Sequence, residues 1–185
     1  MADSAVKNDT YLEGRQLEAQ ARQQNSASAW QAFAGIKASK GSYPLAAMGY
    51  MNAGDAHAAA AEHEAAADAY GKGAEIAIKG KLKEAGLFLT SKLAALHERH
   101  GRYAQAAATY EKFADFCEAQ QAWFLAADAC EHAAEMMKAD GRDLSGYRRP
   151  AELWLRNAEY WAGKDAGDEA WSRGRAALYL EGIAK

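Results

Sequence analysis

At 185 residues, half of them hydrophobic and a quarter charged, the chain has the length of one domain or of a short array of stacked units. A formal net charge of −3 offers no basic face for nucleic acid or for an anionic membrane surface. Much of the hydrophobic share is alanine, the best helix former; with only 2 prolines and few β-branched residues, a sheet is not expected.

Residues 1–8 read as a flexible polar tail without the apolar core of a secretory leader. From Asp9 to about Gln24, Leu12, Leu17 and Ala21 recur at loose helical spacing. Asn25-Ser26 interrupts that helix, and Ser26 can cap a second one that buries Trp30 and Phe33 and ends at Gly41. The stretch 9–38 is thus predicted to cap an array of hairpins. Pro44, tolerated only in a first helical turn, marks the next start. A first hairpin is predicted over 43–79, from helices 43–60 and 62–79, closed by Gly80. Ala58 to Ala61 contains no strong breaker, so a kink rather than a loop is expected there. The second hairpin, 81–118, turns at His100-Gly101, where glycine takes positive φ without strain. The third, 121–162, joins helices 121–139 and 148–162 through the long loop Ala139–Pro150. A last helix, 166–182, offers Trp171, Leu178 and Tyr179 for burial and would close the stack. Residues 9–185 are expected to form a single helical-repeat domain.

The chain also repeats itself. Ala66-Ala67, Tyr70 and Ala74 recur forty positions on as Ala106-Ala107, Tyr110 and Ala114. Gly54, His57 and Ala61 become Ala94, His97 and Gly101, and a further step lands on Ala134 and Gly141. A second similarity, sixty positions apart, links 66–76 to 126–136. Small residues at fixed places let helices approach closely, and an aromatic fills the groove beside them. A unit of this length is one helical hairpin, which buries its apolar face only by stacking on its neighbours. The expected fold class is all-α: about nine helices in a right-handed stack of antiparallel hairpins.

The segment Leu93–Tyr110 resembles a tetratricopeptide repeat, with a small residue at Ala94, a turn at Gly101-Arg102-Tyr103, and Ala106 and Tyr110 on the second helix. The longer hairpins, with Ala-Gly-Asp-Ala at 53–56 and Ala-Ala-Asp-Ala-Tyr at 66–70, look more like the soluble NSF attachment proteins. Those are tetratricopeptide-like stacks that act as adaptors. The resemblance covers roughly residues 43–139 and implies a TPR-like α-solenoid that binds partners along a concave groove. Phe113 departs from the family pattern at a small-residue position, and the closing proline is absent. The acidic, leucine-ending tail that such adaptors use on their ATPase is not evident in residues 179–185.

Motifs for chemistry are sparse, and no catalytic residue is predicted. The histidines of His97-Glu98-Arg99-His100 are three apart, without the His-Glu-x-x-His spacing of a zinc helix, and suit a cationic helix end. Cys117 and Cys130 lie on successive predicted helices and read as buried reduced thiols, which suits a reducing cytoplasm. No metal, cofactor or nucleic acid is expected. No run approaches the roughly 20 apolar residues of a membrane span, and a cytoplasmic location is expected.

Two surfaces are candidates for binding. Aligned with the repeat, the first helices of successive hairpins point Met48, Met51, Phe88 and Ser91 toward the concave face, where methionine and phenylalanine suit an apolar helix or peptide. The 139–150 loop gathers Arg142, Arg148 and Arg149 around Tyr147, a combination suited to an acidic partner or another subunit. The function expected is that of a non-catalytic adaptor binding another protein or peptide. The alternative is a carrier holding a small apolar ligand in a helical groove or cavity.

Overall fold

The computed structural model describes residues 15–24 and 26–181, so the tail expected at 1–8 and the first turns of the helix expected from Asp9 lie outside the described residues. Among those described there are nine helices and no strand. Helix α1 covers 15–24, followed by α2 (Ala27–Ser39), α3 (Tyr43–Ala59), α4 (His63–Lys79) and α5 (Lys83–Arg99). Then come α6 (Tyr103–Ala119), α7 (Trp123–Ala139), α8 (Arg149–Trp161) and α9 (Ala166–Leu180). The chain divides into two compact units, one ending at Leu93 and the other beginning at Ala94, within α5.

Helices α3 to α7 are each 17 residues long, about 25 Å at 1.5 Å per residue. The connectors between them hold three residues, short enough to turn α4 back on α3 in the first unit and α7 back on α6 in the second. The middle connector residues Gly41, Ala61, Lys81, Gly101 and Gln121, and Gly141 after α7, all have left-handed φ, between 55° and 77°. They stand twenty positions apart without exception. Each turn makes the same two hydrogen bonds, as in Gly41 N–H to the Ala38 carbonyl and Ser42 N–H to the Lys37 carbonyl. Glu62 to His57, Leu82 to Ala77, Arg102 to His97, Ala122 to Cys117 and Arg142 to Met137 repeat the second bond. This is the Schellman termination, which satisfies the last carbonyls of a helix when one residue turns left-handed.

The structural period is therefore one helix and its turn, twenty residues. The similarities at forty and sixty positions are two and three such steps. Two details of the sequence reading change. Ala58–Ala61 is no kink: Ala61, with φ 60°, closes the same turn that Gly101 closes. Gly80 does not supply the left-handed residue of its turn; Lys81 does, with φ 56°. Gly80 serves close approach instead, because a Cβ there would lie 2.6 Å from the Tyr43 side chain.

In the first unit, Ser26 caps α2 by accepting the Ala29 N–H, and Trp30 and Phe33 are buried with Ala21, Ala53 and Ala69. Small residues bring these helices together. A Cβ on Gly54 of α3 would meet the Tyr70 ring of α4 at 2.4 Å, and one on Gly73 of α4 would meet Leu89 of α5 at 3.0 Å. In the second unit, α6, α7, α8 and α9 pack consecutively. Trp154 is 1% exposed, and its indole N–H donates to the buried Glu131 at 2.5 Å. Arg175 of α9 pairs with the same carboxylate, and Asn157 donates to Ser172 at 2.8 Å.

The last helix seals less than the sequence suggests. Trp171 is 50% exposed and Leu178 38%, and Trp171 stacks on the half-exposed Phe124 at 5.9 Å between ring centroids. No described helix follows α9 to cover its outer face, while Trp154 already fills the space beneath it.

Candidate binding surfaces

On the first unit, Met48, Met51 and Ser91 are half-buried, and Phe88 is 52% exposed. Met48 is divided in its role, since it also packs on the cluster around Trp30 and Phe33. Phe88 has a charged neighbour: the Lys92 ammonium lies 5.2 Å from its ring centroid and 5.5 Å from that of Tyr70. Lys92 also pairs with Asp55 at 2.7 Å, and the Tyr70 hydroxyl donates to Asp55 at 2.6 Å. These contacts tie α3, α4 and α5 together beside the Phe88 ring. The Asp55–Lys92 pair spans two turns of the repeat; Asp55 belongs to the Ala-Gly-Asp-Ala motif at 53–56, whereas Lys92 carries no mark in the sequence.

On the second unit, the period lengthens before α8 and shortens after it, since α9 starts only seventeen residues after α8. Continuing the twenty-residue step would start a helix at 143, but α8 starts at Arg149. The extra chain is pinned down. Leu144 and Tyr147 pack on Ala107, Ala133 and Met137, and the Tyr147 hydroxyl donates to Glu111 at 2.6 Å. Asp143 accepts hydrogen bonds from the Ser145 N–H and hydroxyl, each 2.9 Å, which hold its carboxyl below the usual carboxylate range. Burial, with the Glu111 carboxylate accepting its proton, raises the Tyr147 phenol far above its usual range. Burial also pushes the Cys130 thiol up to about 11. Cys117 and Cys130 are both buried and form no disulfide.

The four loop residues singled out in the sequence do not act together. Arg149 turns onto α6, where its guanidinium pairs with Asp115, with Glu118 at 3.3 Å and with Glu111 at 3.9 Å. Those carboxylates outweigh the cost of partial burial and raise its already high pKa. Its charge is spent within the chain rather than offered to a partner. Arg156 likewise lies over the Trp123 ring, 5.3 Å from the centroid.

Arg142, Tyr147 and Arg148 instead line a half-open cleft of about 480 Å³ between the loop, α7 and α9. Lys138 joins the two arginines, and Ala134, Leu144, Tyr179 and Leu180 supply apolar lining. Arg142 also donates to Asp140 at 3.0 Å. Lys138 could have been found in the sequence as the last-turn cation one helical turn before Arg142. Tyr179, contributed from α9, could not.

Among the described residues, no group of three or more His, Cys, Asp or Glu side chains is placed to hold a metal ion. No described helix is long and apolar enough to cross a membrane. The chain matches no family model and no curated protein. What the structure establishes is an all-α fold built on a helical repeat of twenty residues.

Proposed function

We propose that this protein is a non-catalytic, cytoplasmic adaptor of the tetratricopeptide-like kind, similar in style to the soluble NSF attachment proteins, which binds another protein or peptide. The observation that carries the reading is the exposure of Phe88 on a regular helix of the repeat, in the same unit as the half-buried Met51. A large aromatic left half in water costs part of the roughly 1.5–3 kcal/mol its burial would contribute. An unbranched methionine such as Met51 adapts to varied apolar side chains. Lys92 and Asp55 would frame this patch as a polar rim.

The test is quantitative affinity capture from lysate of the native cell, comparing the wild-type protein with Phe88→Glu combined with Met51→Ala. The adaptor reading expects a discrete bound protein that the variant loses while its circular dichroism is unchanged. Equal capture by a folded variant would contradict it. A second reading, a small-ligand carrier, is favoured by the cleft on the second unit.

A further inference from the structure

We propose that the cleft beneath the α7–α8 loop is a binding site for a small amphiphilic carboxylate, a single anionic head on an alkyl or aromatic body. The site lies in the second unit and does not depend on the Phe88 surface. Its volume of about 480 Å³ falls within the roughly 300–1,000 Å³ of small-molecule sites. That is too small for a partner helix laid along it.

The lining has two characters. Lys138, Arg142 and Arg148 are cationic, against one carboxylate, Asp143, whose oxygens are engaged by Ser145. Asp140 offsets part of the Arg142 charge. The cleft still carries a positive excess on a chain whose formal net charge is −3. The rest is Ser145, held on Asp143, with Ala134, Leu144, Leu180 and two tyrosines. Tyr147 contributes its ring only, because its hydroxyl is committed to Glu111.

A ligand that satisfies both parts must hold a negative charge next to an apolar body. A neutral lipid leaves the cations without an anion, and a highly polar anion such as a sugar phosphate meets an apolar wall that cannot hydrogen-bond it. The cleft is also formed in advance. Leu144 and Tyr147 anchor the loop in the core against Ala107, Ala133 and Met137, so little ordering is required on binding. The one place where the twenty-residue repeat admits an insertion is thus the place where a cavity forms.

The test uses the full chain and 1-anilinonaphthalene-8-sulfonate, a fluorescent amphiphilic monoanion, with decanoate and decanol as competitors of matched length. The proposal expects one saturable site from which decanoate, but not decanol at equal concentration, displaces the dye. Arg142→Glu with Arg148→Glu should weaken decanoate binding by about ten- to a hundredfold, the usual worth of one charge-assisted hydrogen bond or more. Arg148→Lys should retain most of it, and added salt should weaken it. Displacement by decanol as effective as by decanoate would overturn the proposal. So would undiminished decanoate binding in the double variant with unchanged circular dichroism, or the absence of saturable dye binding to the wild-type protein.

Discussion

Ala61 and Gly101 sit at the same step of the repeat, with φ of 60° and 68°, but only one of them is glycine. Exchanging the two residue types should therefore move stability in opposite directions. A left-handed conformation costs an L-residue about 1–2 kcal/mol through the clash of Cβ with the following carbonyl. Glycine escapes that cost but adds about 0.4–1 kcal/mol of freedom to the unfolded chain. The difference is about 0.5–1 kcal/mol in favour of glycine at each such turn. Ala61→Gly should stabilise by that amount, and Gly101→Ala should destabilise by it. Space does not enter, because a Cβ on Gly101 would find nothing within 4 Å, and Ala61 is exposed. Lys81→Gly and Gln121→Gly, at the two other non-glycine left-handed sites among the described residues, both exposed, should behave as Ala61→Gly does. The assay is urea unfolding followed by circular dichroism, read as a shift of the midpoint at unchanged slope. A lower midpoint for Ala61→Gly, or a higher one for Gly101→Ala, would refute the argument from left-handed turns.

Gly54→Ala should destabilise by about 1–3 kcal/mol through overpacking, since its Cβ would meet the Tyr70 ring, whereas Gly35→Ala on the open face of α2 should raise the melting temperature. A stabilised Gly54→Ala protein would show that this helix contact yields easily. Arg175→Ala leaves Glu131, 6% exposed, without its guanidinium. The loss should be about 2–3 kcal/mol, below the about 3–5 of a fully buried pair because Arg175 is about a third exposed. An unchanged urea midpoint would contradict this. With its thiol pushed up to about 11 and no exposed surface, Cys130 should resist iodoacetamide at pH 8 in the native protein and react once unfolded. Full native labelling would place it elsewhere.

The helices were legible because their punctuation is chemical: Ser26 as a cap, Pro44 in a first turn, Gly41 and Gly101 as left-handed ends. The period was harder to read. Ala61, Lys81 and Gln121 adopt the glycine conformation without being glycine, so alternate turns look different in sequence and only every second or third step matches. The cleft was partly legible, since the inserted loop and its arginines stand out. Which arginines face it was not, because Arg149 finds Glu111, Asp115 and Glu118 on a helix more than thirty residues earlier. Trp171 misled for a related reason: its seven-residue spacing from Leu178 looks like core, but the outer face of α9 has no described neighbour.

The adaptor reading is tested most directly by placing a photoreactive benzoylphenylalanine at position 88 and, as a control, at position 35 on the exposed face of α2, then irradiating the native cells. The account predicts a discrete protein adduct from position 88 and none from position 35. No adduct at 88, or the same adducts from both positions, would contradict it.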